Sequence, residues 1–191
     1  MSTQPKPFLS PKEYLELEAA AERKSEYYNG EMFLMAGGTR EHARIIGNLT
    51  IELGVQLKGK PCFPYGTEMR LKVPVTGLYT YPDLMVLCEP EESDPEDRLS
   101  MTNPTVIIEV LSPTTEGYDR GKKFGHYLQI PSLRDYILVS QEEVRVDHYT
   151  ISPGGAHTFR CLQDLNDTLD IPSINCSLPL RDIYRRTELA S

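Results

Sequence analysis

The sequence predicts a single α/β domain, bordering on α+β, in which helices flank a central mixed β-sheet. Three observations support this fold class. Capped helical segments alternate with short apolar strands, one strand is apolar on both faces, and no repeat or linker divides the chain. The 191 residues suit one domain with a substantial core. We predict that residues 1–191 form this domain, with a core at about 10–150 and an extension of one strand and a turn at 151–191.

Local signals place a helix, a hairpin and a second helix in the first third of the chain. Ser10-Pro11 is typical of a helix start, and this helix should run to about Arg23. Asn29-Gly30 between apolar flanks predicts a tight β-hairpin. Thr39 is expected to cap the second helix, whose apolar residues keep a helical period until Gly59 ends it.

The pattern after residue 59 changes to strands. We predict strands at 69–73, 84–88, 105–111, 136–139, 144–149 and 169–171, a helix at 119–129 and a final turn at 180–184. The strand at 105–111 is apolar on both faces, so both sides of the sheet should be covered there. The acidic stretch at 89–97 is interpreted as a solvated loop.

The charge, the N-terminus and the cysteines limit the classes of function. A net charge of −8 argues against a strong, nonspecific nucleic-acid binder, although a metal site needs carboxylates and a small basic groove can exist within an acidic total. Residues 1–10 lack the order of a signal peptide, and no apolar run approaches the roughly 18 residues of a membrane span, so a cytoplasmic protein is expected. The four cysteines form no CxxC pair, which predicts neither a zinc site nor a disulfide framework, and Cys88 is interpreted as a small core residue.

Two carboxylates lie in or beside apolar strands, where burying a charge costs free energy. Glu109 is the single charged residue of the run 105–111, and Asp83 opens the apolar run 84–88. A carboxylate in a buried strand must be paired or must hold a metal ion. Two of them on neighbouring strands would repel each other unless a cation lay between them. From these residues alone, a metal site and two structural ion pairs both remain open.

A polar stripe follows the strand that carries Glu109. Its members fall on one helical face and are Asp119, Lys123, His126, Tyr127 and Ile130. For Asp119 we favour an exposed salt bridge with Lys123, worth about 0.3–0.5 kcal/mol. Lys122 is adjacent to Lys123, and the sequence does not decide which of the two faces solvent.

Several segments together resemble the putative restriction endonuclease family, a divergent branch of the PD-(D/E)XK nuclease superfamily. They are Tyr81-Pro82-Asp83, Ile108 to Pro113, Tyr118 to Phe124, Ile130 to Leu133 with Tyr136, and the N-terminal stretch Glu26 to Glu31 followed by His42. The resemblance covers about residues 26–149 and implies a restriction-endonuclease-like core.

The resemblance also implies roles for individual residues. Asp83 and Glu109 would hold a divalent cation, for which oxygen ligands favour Mg²⁺ or Mn²⁺, and the carbonyl of Val110 could add a ligand. The superfamily usually has a lysine two residues after the Glu to orient the attacking water, but this chain has Leu111 there. Either Lys123 on the following helix replaces that lysine, or the site is inactive.

Two further residues are secondary candidates. Glu26 either binds water or metal or is a surface charge at the end of a strand before the hairpin. His42, one turn into the second helix, is either catalytic or a capping or packing residue.

Three functions therefore compete. The first is an Mg²⁺-dependent DNA endonuclease, expected to be a homodimer because cutting both strands generally requires two centres. The second is a catalytically degenerate domain of the same fold with a binding or regulatory role. The third is a protein in which Asp83 and Glu109 form only structural ion pairs.

Overall fold

The structure, a computed structural model, describes residues 8–190. Its helical elements are α1 (Pro11–Ala20), α2 (Arg40–Leu57), α3 (Glu116–Tyr118), a π-helical turn (Asp119–Lys123), α4 (Phe124–Tyr127), α5 (Leu180–Ile183) and two 3₁₀ turns (Pro172–Ile174 and Glu188–Ala190). Elements α3, the π turn and α4 follow one another without a break, and we call residues 116–127 the site helix. Within the described part, no helix is long and apolar enough to cross a membrane. Our expectation about a signal peptide rests partly on residues 1–7, which lie outside the described residues.

Fourteen strands form two six-stranded sheets and one two-stranded sheet within the described part. The strands are β1 (Ser25–Tyr28), β2 (Glu31–Leu34), β3 (Cys62–Gly66), β4 (Arg70–Val73), β5 (Leu78–Thr80), β6 (Leu84–Cys88), β7 (Ser93–Asp94), β8 (Asp97–Met101), β9 (Val106–Leu111), β10 (Asp135–Ser140), β11 (Val146–Ile151), β12 (His157–Leu162), β13 (Thr168–Ile171) and β14 (Cys176–Pro179). The main sheet has the order β12-β11-β10-β9-β6-β3, and the second sheet has the order β2-β1-β5-β4-β8-β7. In the main sheet β9 and β10 are parallel and their neighbours antiparallel, so the predicted mixed sheet is confirmed.

The N-terminal elements form where their local signals predict. Ser10 caps α1, and its backbone N–H donates in return to Oε2 of Glu13 at 2.8 Å. The helix ends at Ala20, three residues before the predicted end. Asn29-Gly30 turns the β1–β2 hairpin with φ angles of 48° and 81°, a left-handed backbone that Asn and Gly adopt most readily. Thr39 caps α2 by accepting the N–H of His42 at 3.1 Å.

The main sheet is covered on both faces, as the apolar strand β9 predicts. On one face α2 buries Leu49 and Leu53 against Ile108, together with core residues from the C-terminal segment such as Leu178. The opposite face packs Ile107 and Leu111 against Tyr127 and Tyr136, where the site helix lies. Burial on both sides fixes β6 and β9 firmly, so side chains at their ends have defined positions.

Two expectations about residues 62–97 are wrong. Cys62 and Cys88 form a disulfide bond, because the antiparallel register of β3 and β6 sets them directly opposite each other. Part of the predicted acidic loop is the hairpin of β7 and β8. There Asp94 is buried and its carboxylate meets Nζ of Lys72 at 2.7 Å and the hydroxyl of Tyr79 at 3.0 Å.

Candidate active site

The site begins where two neighbouring strands of the main sheet bring Asp83 and Glu109 together. The last registered pair of β6 and β9 is Leu84 with Ile108, so Asp83 and Glu109 follow as the next opposite residues. Each carboxylate accepts a backbone N–H: Val110 donates to Oδ2 of Asp83 at 2.8 Å, and Asp83 donates to Oε2 of Glu109 at 3.2 Å. These bonds hold both carboxylates in fixed orientations.

Lys123 reaches this pair from the site helix. Its Nζ lies 3.0 Å from Oε1 of Glu109, 3.3 Å from Oε1 of Glu26 and 3.5 Å from Oδ1 of Asp119. Lys123 is buried, whereas Lys122 is exposed to solvent. The structure therefore decides which lysine faces inward, a choice that the sequence left open. The π-helical turn carries both Asp119 and Lys123, and such turns occur frequently at functional sites.

Glu26 and Asp119 are not the surface charges that the simplest interpretation of each predicted. Glu26 is 9% exposed and Asp119 is 4% exposed. Glu26 also accepts the hydroxyl of Thr80 at 2.5 Å. The sequence could not show this burial, because the second sheet, which carries Glu26, packs there through contacts distant along the chain.

His42 lies beside Asp83, near the N-terminal end of α2. Its Nε2 is 3.2 Å from Oδ2 of Asp83, and the ring also forms a hydrogen bond with the backbone of Val110. Burial by itself would lower the pKa of His42, but the hydrogen bond and charge of Asp83 outweigh it and raise this pKa. The ring therefore contacts Asp83 and Val110, two of the groups that the resemblance assigns to a cation.

Carboxylates outnumber cations at this centre. Burial, together with the charges of Asp119 and Asp83, raises the pKa of Glu109 to about 8, although Lys123 acts in the opposite direction. Burial would lower the pKa of Lys123, but the charge of Glu109 above all raises it well above its usual value. One ammonium thus faces a group of buried acids, so the electrostatics favour an additional cation.

Tyr127 completes the support of Glu109, a role that sequence reasoning did not assign. Its hydroxyl donates to Oε1 of Glu109 at 2.8 Å, the same oxygen that Lys123 contacts. The signal in the sequence was its position one helical turn after Lys123 on the polar stripe. A tyrosine there is equally typical of a core residue, and Tyr127 is indeed fully buried.

Above pH 8, where Glu109 is ionised, Tyr127→Phe is expected to lower the free energy of unfolding by about 1.5–3 kcal/mol, because a buried carboxylate loses a hydrogen-bond donor. Urea denaturation would show this as a lower midpoint with an unchanged slope. Tyr136→Phe is the matched control, since the hydroxyl of Tyr136 donates to the neutral backbone oxygen of Asp119 at 3.0 Å. An equal loss in both variants would contradict a charge-assisted role for Tyr127.

Comparison with known proteins identifies the family. The model of the family Uma2, described as putative restriction endonuclease, matches residues 11–181. The chain belongs to the Uma2 family. The segments that suggested the resemblance, from Glu26 to Tyr136, all lie within the matched range.

Relatives and a solved structure agree with this membership. "Uncharacterized protein slr1290" of Synechocystis sp. is 38% identical over 184 residues, which cover 95% of this chain and 94% of the relative. A second Synechocystis relative, "Uncharacterized protein sll1609", is 37% identical over 141 residues, or 74% of this chain and 80% of the relative. A crystal structure of a putative nuclease belonging to DUF820 from Anabaena variabilis covers 91% of this chain and 96% of its own with a TM-score of 0.73. At 22% identity that structure supports the fold alone, which confirms the predicted fold class.

The described part of this Uma2 chain presents oxygen donors at Asp83 and Glu109 but no preformed metal cage. Among residues 8–190, no group of three or more His, Cys, Asp or Glu side chains is arranged to hold a metal ion. Asp83 and Glu109 with the carbonyl of Val110 could hold one, because Mg²⁺ is commonly bound by one or two carboxylates and keeps several waters. The chemistry of this donor set therefore fits a hard divalent cation.

Proposed function

We propose that this Uma2 protein is a divalent-cation-dependent endonuclease that hydrolyses phosphodiester bonds in DNA. The observation that supports this proposal is the position of Lys123. Its ammonium lies 3.0 Å from Glu109 although it comes from the site helix and not from β9. Asp83, Glu109 and a lysine therefore occur together despite Leu111, as the superfamily's chemistry requires.

A divalent cation, Mg²⁺ or Mn²⁺, is proposed to be held by Asp83, Glu109 and the carbonyl of Val110. When bound, it would polarise the scissile phosphate and lower the pKa of the attacking water. His42 contacts both Asp83 and Val110. We assign His42 to holding the Asp83 carboxylate in place.

The other side chains of the site position the reacting groups and balance their charge. Lys123 is proposed to orient the water and to offset the charge that develops on the phosphoryl oxygens. Glu26, whose Oε1 lies 3.3 Å from Nζ of Lys123, helps to fix the direction of the ammonium. Tyr127 keeps Oε1 of Glu109 turned toward Lys123, so that Oε2 remains on the side of Asp83.

A cleavage assay tests this function directly. The wild-type chain should convert supercoiled plasmid to nicked or linear DNA with Mg²⁺ or Mn²⁺ and leave it intact in excess EDTA. Asp83→Asn should remove the activity, because a principal ligand is lost. Cutting in EDTA, or equal cutting by Asp83→Asn, would contradict the proposal. If one binding event cuts both strands and gives linear DNA, the homodimer predicted from the sequence is supported. If each binding event gives only nicked circles, a single active site acts on the DNA at a time.

A catalytically degenerate nuclease domain is the second candidate, favoured by Leu111 and the net charge of −8. Leu111 is 3% exposed and packs in the apolar core, while Lys123 already supplies an ammonium at Glu109. We therefore expect Leu111→Lys to gain no activity and to lose stability through a second buried cation. An inactive wild type whose Leu111→Lys variant cuts DNA would instead identify a degenerate site.

A further inference from the structure

A cleft of about 790 Å³ opens between the β1–β2 hairpin and the site helix. We call it the hairpin cleft and define it by Glu26, Tyr28, Phe33, Tyr118, Lys122 and His126, which lie on its walls. Its volume is within the range of pockets that bind small organic molecules, roughly 300–1,000 Å³. Among the described residues with a role proposed at the reaction centre, Glu26 alone also lines the cleft.

The cleft adjoins the proposed reaction centre. Glu26 lines the cleft and also lies 3.3 Å from Nζ of Lys123. Tyr118 lines it as well, and its ring centroid is 6.0 Å from the same Nζ. A strand of substrate whose phosphate lies at Lys123 would therefore place its adjacent nucleotides in the cleft.

The walls present aromatic faces rather than a series of cations. Phe33 is 48% exposed and Tyr28 is 39% exposed, and Tyr28 is held by an edge-on contact with His126 at 4.6 Å between ring centroids. Flat aromatic faces stack on unpaired bases of any sequence. In a duplex the base faces are covered by stacking, so these rings would gain little from paired DNA.

The small number of cations in the cleft also favours unpaired bases over duplex DNA. Lys122 is the one lysine or arginine among the described residues that line it. Burial lowers the pKa of His126, so this ring adds little positive charge near neutral pH. Duplex binding depends on many phosphate contacts by lysine and arginine. One lysine beside two accessible rings, in a chain of net charge −8, suits one or two unpaired nucleotides better.

We propose that the hairpin cleft binds one or two unpaired nucleotides of DNA next to the scissile phosphate, so that the substrate is single-stranded or locally unpaired DNA. The bases stack on Phe33 and Tyr28, and Lys122 meets the backbone phosphate. The inference deepens the proposed function and rests on it for the position of the scissile phosphate.

Binding without cleavage tests the cleft separately from the chemistry. Fluorescein-labelled 12-mer DNA, single-stranded or annealed to its complement, is titrated with the full chain in EDTA and followed by anisotropy. The single strand should bind more tightly than the duplex. Phe33→Ala should weaken single-strand binding roughly 5- to 150-fold, the range expected for one stacked base. Phe33→Trp should restore it, and Phe159→Ala, which removes an aromatic residue of similar exposure (54%) outside the cleft, should bind like wild type.

The outcomes separate the cleft from the catalytic proposal. Tighter binding of the duplex, unchanged binding by Phe33→Ala, or no binding of either DNA overturns the inference. Tighter binding of an RNA 12-mer of the same sequence also overturns it, because the proposed ligand is DNA. If Mg²⁺-dependent cutting of duplex is normal while Phe33→Ala has no effect, the endonuclease stands and the cleft inference fails. If binding depends on Phe33 but no cation supports cutting, the cleft stands and the endonuclease fails.

Discussion

Lys123→Met is expected to slow DNA cleavage by about 10²–10³-fold, the usual effect of losing one positioned electrostatic group at a reaction centre. The same change should lower the free energy of unfolding by about 3–5 kcal/mol, because it leaves buried carboxylates without their cation. Lys123 contacts Glu109, Glu26 and Asp119, so the loss falls on three groups at once. Single-turnover cleavage and urea denaturation at neutral pH measure the two effects.

Lys58→Met is the matched control for this substitution. Lys58 is exposed at the end of α2, about 24 Å along the helix from His42 at 1.5 Å per residue. The control should retain wild-type cleavage and stability. Binding of Mg²⁺ to Lys123→Met should be retained, since the proposed ligands are unchanged. A variant that loses stability but cuts DNA at the wild-type rate would show that Lys123 is only a structural ion-pair partner.

The sequence predicted those elements whose causes are local. Three local sequence signals act within a few residues, and each element forms where its signal lies. They are the Ser10–Glu13 capping box, the Asn29-Gly30 turn and the Thr39 cap. Asp83 and Glu109 stood out because each is charged beside an apolar strand. Their strands proved to be neighbours in the main sheet.

The remaining features depend on which distant segments meet. The second sheet forms through pairings such as the parallel β4–β8, which no local pattern indicates. The same cause explains the Cys62–Cys88 disulfide and the burial of Glu26, since both follow from pairing between strands that are not adjacent in sequence. The predicted exposure of the Asp119–Lys123 salt bridge is wrong for a related reason. An i,i+4 pair with Lys123 has the same spacing on an exposed face as on a face covered by sheets.

Without divalent cations, the protein is expected to lose stability as the pH rises from about 4.5 to about 8. Glu109 has a folded-state pKa of about 8 against a reference of 4.5, chiefly because it is buried. A raised pKa means that the folded chain holds a proton that the unfolded chain has released. Its stabilising contribution is therefore complete below the unfolded pKa and is lost as the pH passes through the folded pKa. Thermal unfolding in EDTA at several pH values would measure this fall.

Glu109→Gln is expected to reduce the slope of stability against pH, because glutamine has no proton to lose in this range. Glu16→Gln, an exposed glutamate of α1, should leave the slope unchanged. Asp119 has a raised pKa as well, again mainly through burial, so part of the slope should remain in Glu109→Gln. A wild-type stability that rose across this window would contradict the arrangement of carboxylates described here.

Mg²⁺ should restore the stability that is lost at pH 8, where the ionised Glu109 can act as a ligand. A cation that binds only the folded chain stabilises it by about 2.7 kcal/mol at one hundred times its dissociation constant. The gain should be largest at high pH and should shrink toward pH 5, because protons then compete for Glu109. Asp83→Asn should lose most of the gain at every pH, because it removes the charge of one of the two carboxylates proposed to hold the cation. The same gain in Asp83→Asn as in wild type would place the cation elsewhere and remove the proposed centre.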